Sequence, residues 1–169
     1  HAMDQGVAAD YVGNLLNMLL PKMEGRNMKK RLQALHMEIK RFYEAKGVES
    51  RLQTLTRGMI QKTKAPPKLR AKAAELRDLI PFTKIAADKF LGSSKPTEEA
   101  AKKMAHHLVE LYGTLSSNAE NRAEVMRENS RKFCILYSGL EKHFTGTKLW
   151  RIKPKFHLMQ ELFEMTKGA

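Results

Sequence analysis

Ala101-Lys102-Lys103-Met104-Ala105-His106-His107-Leu108-Val109-Glu110-Leu111-Tyr112-Gly113-Thr114-Leu115 decides the fold class. Ala101, Met104, Leu108, Leu111 and Leu115 step by three and four, so they share one face of a helix. Glu98 and Glu99 stand near its start, where the helix dipole favours anions. Pro96 suits the first turn, after a break at Gly92-Ser93-Ser94.

The same spacing extends outward in both directions. Towards the C-terminus, Ser117 and Glu120 have capping-box spacing. Met126, Phe133, Tyr137, Leu140 and Phe144 follow on one face of a long helix, with serine filling position 130 and Thr145-Gly146-Thr147 ending it. Trp150 to Pro154 is expected as an extended link, with Pro154 opening a last short helix marked by Phe156, Met159 and Phe163.

Towards the N-terminus, Leu69, Ala73, Leu76 and Ile80 are expected to open a helix. Pro81 sits inside that pattern, ahead of Phe82, Ile85, Ala86 and Phe90, so the helix kinks or two short helices meet there. Ala65-Pro66-Pro67 is the clearest break. Before it, Leu52, Leu55, Met59 and Ile60 are expected on one helical face, started by a Ser50/Gln53 capping box. Met28, Leu32, Leu35, Ile39 and Phe42 give an amphipathic helix whose other faces carry Lys29, Lys30, Arg31, Lys40 and Arg41, and Gly47 ends it. Val12, Leu15, Leu16 and Leu19 form the first run, stopped by Pro21.

No alternating strand pattern of useful length is present. The expected architecture is all-α, an irregular bundle of six or seven helices. His1-Ala2-Met3 reads as a cloning remnant and is set aside. Residues 4–169 are read as a single helical domain. The Ala65-Pro66-Pro67 break offers a sub-boundary between parts of roughly 60 and 100 residues, of which the smaller would be marginal alone.

Charge is the strongest global signal. The 169 residues carry 31 Lys and Arg against 18 Asp and Glu, a net charge of +13, which attracts polyanions. Nucleic acid, DNA or RNA, is the expected partner. An acidic or apolar protein partner is the alternative, through a helical interaction or scaffolding module. An anionic membrane surface is disfavoured, because the basic stripe from Met28 to Phe42 also reads as core. The stretch Asp4 to Pro21 is too short and polar to span a bilayer. A single cysteine and no evident export signal point to an intracellular, nuclear or cytoplasmic setting.

Catalytic chemistry is not evident. His36, His106, His107, His143 and His157 lack the i, i+4 pairing of a two-ligand metal face. Cys134 has Arg131 and Lys132 nearby, but its apolar neighbours Phe133, Ile135 and Leu136 favour a buried, inert thiol. The carboxylates form no set suited to two-metal chemistry. No phosphate-binding Gly-rich loop, nucleophile elbow or dinucleotide motif occurs. The chain is therefore read as a non-enzyme with no cofactor and no evident small-molecule substrate. Methionines Met18, Met59, Met104 and Met159 fall on core stripes.

Three basic clusters are the candidate nucleic-acid contacts: Arg26, Lys29, Lys30 and Arg31; Lys62, Lys64, Lys68, Arg70 and Lys72; and Lys148, Arg151, Lys153 and Lys155 with Trp150. The second flanks the Pro-Pro break. In the third, cations beside an exposed Trp150 would grip phosphates while the ring stacks a base; a buried Trp150 among solvated lysines is the competing reading. Contacts are expected to be phosphate-led and weakly sequence-specific. Neutralising ~5 phosphates gives a log–log salt slope of about −4 to −5 on duplex DNA.

One resemblance enters at the C-terminus. Leu149-Trp150-Arg151-Ile152-Lys153-Pro154-Lys155-Phe156-His157-Leu158-Met159-Gln160-Glu161-Leu162 resembles the Lys-Pro-Lys-aromatic-His-Leu segment late in several eukaryotic DNA-transposon proteins, including transposon-like proteins of dinoflagellates. The resemblance covers this segment, and helical stretches precede it in those proteins too. It implies an accessory helical region of a mobile-element-derived protein, suited to DNA contact. Gln160 and Glu161 stand where many of those relatives carry a second His, so no His-pair role is carried over. His157 is read as a structural residue at the edge of the last helix.

Overall fold

The computed structural model of the protein describes residues 3–153 and Phe156, with side chains from Gly6 onward. Among the described residues six α-helices are delimited: α1 Ala9–Leu19, α2 Met28–Lys46, α3 Arg57–Ile60, α4 Ala73–Phe90, α5 Pro96–Leu115 and α6 Arg122–His143. No strand occurs among the described residues, so the all-α bundle expected from periodicity is what the chain forms. Among those residues, no helix is long and apolar enough to cross a membrane.

α1 is the central helix. It is entered through wider π-type turns, Met3–Ala8, and every residue from Ala9 to Leu16 is buried. The most extensive helix pair is α5 with α6, and α4 packs on α5. Ala101, Met104, Leu108 and Leu111 on α5 are fully buried, as their spacing requires, while Leu115 is half-buried. Across the interior the Tyr11 hydroxyl donates to the Ala101 carbonyl at 2.7 Å, tying α1 to α5. Tyr11 also meets Phe133 of α6 edge-on at 5.5 Å between ring centres. One hydrophobic cluster runs from Val7 to Phe156. Burial pushes the Tyr11 hydroxyl well above its ordinary pKa, with Tyr137 adding to the effect.

Local signals explain most helix ends. Asn27 caps α2, its side chain accepting the Lys30 N–H at 3.0 Å. Gly47 closes α2 in the left-handed conformation at φ 62°. Pro96 opens α5, and Glu98 near its start is buried. Burial alone would raise the Glu98 carboxyl, but hydrogen bonds from the Gly92 N–H at 3.1 Å and Lys22 Nζ at 3.2 Å outweigh it and hold the group below its ordinary range. α4 runs unbroken through Pro81. Pro81 is exposed, so water can serve the carbonyl that its missing N–H leaves unpaired.

Several expected features are corrected. The Ser50/Gln53 capping box does not form: residues 48–56 are irregular, and the Ser50 N–H is taken by Asp78 Oδ2 at 3.3 Å. Leu52 and Leu55 are buried there without a helix, and the Leu52 N–H donates to the Tyr43 hydroxyl at 2.9 Å. Tertiary partners outbid a helix weakened by Thr54, Thr56 and Gly58. Thr56 instead caps the short α3, its Oγ1 accepting the Met59 N–H at 3.3 Å. The Ser117/Glu120 capping box is also absent, because α6 begins at Arg122 and Ser117 Oγ accepts the Ala119 N–H at 3.1 Å within a turn. Leu69 is buried but lies ahead of α4 in extended chain. Met28 is exposed, so the α2 stripe effectively begins at Leu32. Met104 is buried, whereas Met18 and Met59 are only partly so. Phe156 is helical and packs on Tyr137 at 5.2 Å. Pro154, Lys155, His157, Met159 and Phe163 lie outside the described residues.

Candidate nucleic-acid interface

The candidate interface is built on the first two turns of α1. Ala9 and Gly13, one turn apart, face the segment that carries the second basic cluster. The Leu69 N–H donates to the Ala9 carbonyl at 2.9 Å. At Gly13 the chain of Lys68 passes so close that a Cβ would stand 2.4 Å from its Cα and N. Two further backbone bonds fold this segment back on α3: Lys68 N–H to the Ile60 carbonyl and Arg70 N–H to the Met59 carbonyl, both 2.8 Å. The intervening loop is closed by Gln61 Nε2 donating to the Ala65 carbonyl at 2.8 Å. Pro67 and Leu69 are buried, which anchors the loop, while Lys62, Lys64 and Lys72 are exposed and Lys68 and Arg70 half-buried. Arg70 Nη1 donates to the Lys68 carbonyl at 3.2 Å, stiffening the turn.

The next face of α1, Asp10 and Asn14, holds the third cluster. Asn14 Oδ1 accepts the Trp150 N–H at 2.8 Å, and Asn14 Nδ2 donates to the Asp10 carbonyl at 2.8 Å. Glu141 Oε2 accepts the Ile152 N–H at 2.6 Å. Lys153 Nζ reaches the buried Asp10 carboxylate at 2.8 Å. Residues 150–153 are thus a strap stitched onto α1 and α6 by side-chain acceptors.

Two assignments in this cluster are corrected. Trp150 is 1% exposed and packs on Tyr137 at 5.6 Å and Tyr11 at 5.8 Å between ring centres, so its ring stacks on core aromatics and not on a base. It is held at φ 55°, a left-handed conformation that a bulky residue keeps only when surroundings over-determine it. Lys153 is committed to Asp10, and so is a structural cation. Lys148 and Arg151 remain exposed. Lys155 lies outside the described residues.

The first cluster stands apart. Arg26, Lys29 and Lys30 are exposed, and half-buried Arg31 donates through Nε to the Gly25 carbonyl at 3.3 Å. They follow the C-terminal end of α1, whereas the other two clusters contact its first turns at Ala9 to Asn14. The second and third clusters are therefore brought together, and the first is not.

Elsewhere, Glu38 binds Arg41 and Lys89, Glu98 binds Lys22 and Lys95, Glu99 binds Lys102 and Lys103, and Glu128 binds Arg131 and Lys132. Among the described residues, Lys62, Lys64, Lys68, Arg70 and Lys72 of the second cluster and Lys148 and Arg151 make no ion pair, and neither do Arg26, Lys29, Lys30 and Arg31 of the first cluster or Lys40, Lys46, Arg77 and Lys84. Composition contributes, since no acidic residue lies between Glu49 and Glu75 or between Glu141 and Glu161, although Arg51 and Lys153 within these runs reach Glu44 and Asp10 outside them. These acid-free runs are visible in the sequence, as is a third, from 25 to 37, that holds the first cluster. They also flag Arg57, absent from the initial clusters. Its Nη2 donates to Asn17 Oδ1 at 3.0 Å and Gln61 Oε1 at 3.1 Å, and its Nη1 is buried with no partner.

The reactive side chains elsewhere have structural surroundings. Cys134 is buried and its thiol is pushed up to about 12 by desolvation, partly offset by a hydrogen bond from Ser130. His106 Nε2 lies 2.7 Å from Asp88 Oδ1, and His107 Nδ1 lies 2.9 Å from Asn129 Oδ1. No group of three His, Cys, Asp or Glu suited to a metal ion occurs among the described residues. Comparison with family models, with curated proteins and with solved structures finds no match for this chain.

Proposed function

We propose that the protein is a non-catalytic nucleic-acid-binding helical domain that contacts phosphates with little sequence preference. The observation that carries this reading is a set of seven cations, on two acid-free segments held against the same turns of α1, that no carboxylate among the described residues neutralises. Net charge of +13 supplies long-range attraction, and unpaired cations on anchored backbone supply local contacts. The likeness of residues 149–162 to a segment of DNA-transposon proteins supports DNA as a partner and a mobile-element origin. A single thiol fits an intracellular setting, nuclear or cytoplasmic.

Neutralising Lys64 and Lys72 together (Lys64→Gln, Lys72→Gln) is expected to weaken binding to mixed-sequence DNA at least tenfold near 100 mM salt, since each lost phosphate contact contributes about 0.9 to the log–log slope. The matched pair Lys102→Gln and Lys103→Gln removes the same charge from cations already held by Glu99, and is expected to change affinity far less. Fluorescence anisotropy with labelled DNA measures both. Equal losses from the two pairs would show diffuse attraction without a defined site.

A further inference from the structure

The two basic segments lie at one level of α1, on neighbouring faces. The contacts of Lys68 and Leu69 are to Ala9 and Gly13, and those of Trp150 and Lys153 are to Asp10 and Asn14. Consecutive helix positions are about 100° apart, and a helix with its side chains is 10–12 Å across, so the two segments run roughly 10–15 Å from each other. Between them α1 emerges at Asn17, which is half-buried and hydrogen-bonded to Arg57. The arrangement is two cationic banks with half-buried Asn17 between.

Resting on the nucleic-acid reading above, we infer that the ligand is a duplex, gripped by the Lys62–Lys72 segment on one strand's phosphates and by the Lys148–Arg151 segment on the other's, across a groove. A duplex presents two phosphate rows across each groove, and the major groove of B-DNA, about 12 Å wide, falls within the spacing of the banks. A single strand presents one row. Proteins that favour single strands add base stacking on open aromatic faces, at about 1–3 kcal/mol per base. Here Trp150, the ring between Lys148 and Arg151 in sequence, packs inside the core against Tyr11 and Tyr137. The described Phe, Tyr and Trp side chains are all buried or half-buried. The banks are also rigid. Backbone bonds from Lys68, Leu69 and Arg70 fix one, and Asn14, Glu141 and Asp10 fix the other, so they do not close together on one strand.

The test compares a mixed-sequence DNA duplex of about two helical turns, an RNA duplex of the same sequence, and the single DNA strand, all with the full chain at equal salt. At least one duplex is expected to bind tenfold or more tighter than the strand, and the two duplex arms identify which source of paired phosphates is used. The variant Lys148→Gln/Arg151→Gln, at exposed positions, removes one bank. It is expected to lose the duplex preference while binding the single strand as before, with circular dichroism confirming the fold. A single strand bound as tightly as both duplexes, or a variant that keeps the full preference, overturns the two-bank grip while leaving the nucleic-acid reading in place. No binding of any of the three at low salt overturns both.

Discussion

Trp150→Ala is expected to destabilise the protein by about 3–5 kcal/mol, the usual cost of emptying a fully buried tryptophan site. That is a large share of the 5–15 kcal/mol that holds a domain of this size together. The melting temperature should fall by roughly 10 °C. The loss has two parts: the ring contacts with Tyr11 and Tyr137, and the seating of a strap whose N–H groups are held by Asn14 and Glu141. The backbone sharpens the test. At φ 55° an alanine carries a left-handed penalty of about 1–2 kcal/mol that glycine escapes, so Trp150→Gly should be no less stable than Trp150→Ala, against the usual order. Thermal melts of the two variants check this. A Trp150→Ala protein that melts within a degree or two of the wild type would place the ring outside the core.

Gly13→Ala should lower stability by about 2–3 kcal/mol, although alanine is the better helix former by about 1 kcal/mol. The new Cβ would meet Lys68 Cα and N at 2.4 Å and its carbonyl carbon at 2.6 Å. That stretch of backbone is pinned by hydrogen bonds from Lys68, Leu69 and Arg70, so it moves only by breaking one of them. Gly113→Ala and Gly139→Ala, inside α5 and α6 with nothing within 4 Å, are the controls and should stabilise by about 0.5–1 kcal/mol. Urea titration of the three variants measures both signs. A stabilising Gly13→Ala would mean that the Lys62–Lys72 segment does not lie against α1 as described, and the basic banks would lose their common support.

Where the chemistry is local, the sequence already reveals the fold. The α5 stripe, the Gly47 stop and Pro96 at the first turn each follow from residues within one or two helical turns. The capping boxes at Ser50 and Ser117 show the limit of such reading. A favourable local bond is displaced when Asp78 or a tight turn competes for the same N–H. The site was less legible. That Trp150 is core and Lys153 a structural cation follows from contacts to Asn14 and Asp10 across more than 130 residues, which no local spacing encodes. By contrast, the absence of acids from 50–74 and from 142–160 was visible in the sequence, and it leaves most cations there without a near carboxylate of the kind that Glu38, Glu98, Glu99 and Glu128 give to others.

The central claim, that unpaired cations on anchored segments bind phosphates, is tested most directly by titrating the affinity of the intact protein for duplex DNA against salt. The account predicts a log–log slope of about −4 to −5, the release expected from ~5 phosphate contacts. A slope near zero, or no binding at about 50 mM salt, would contradict it.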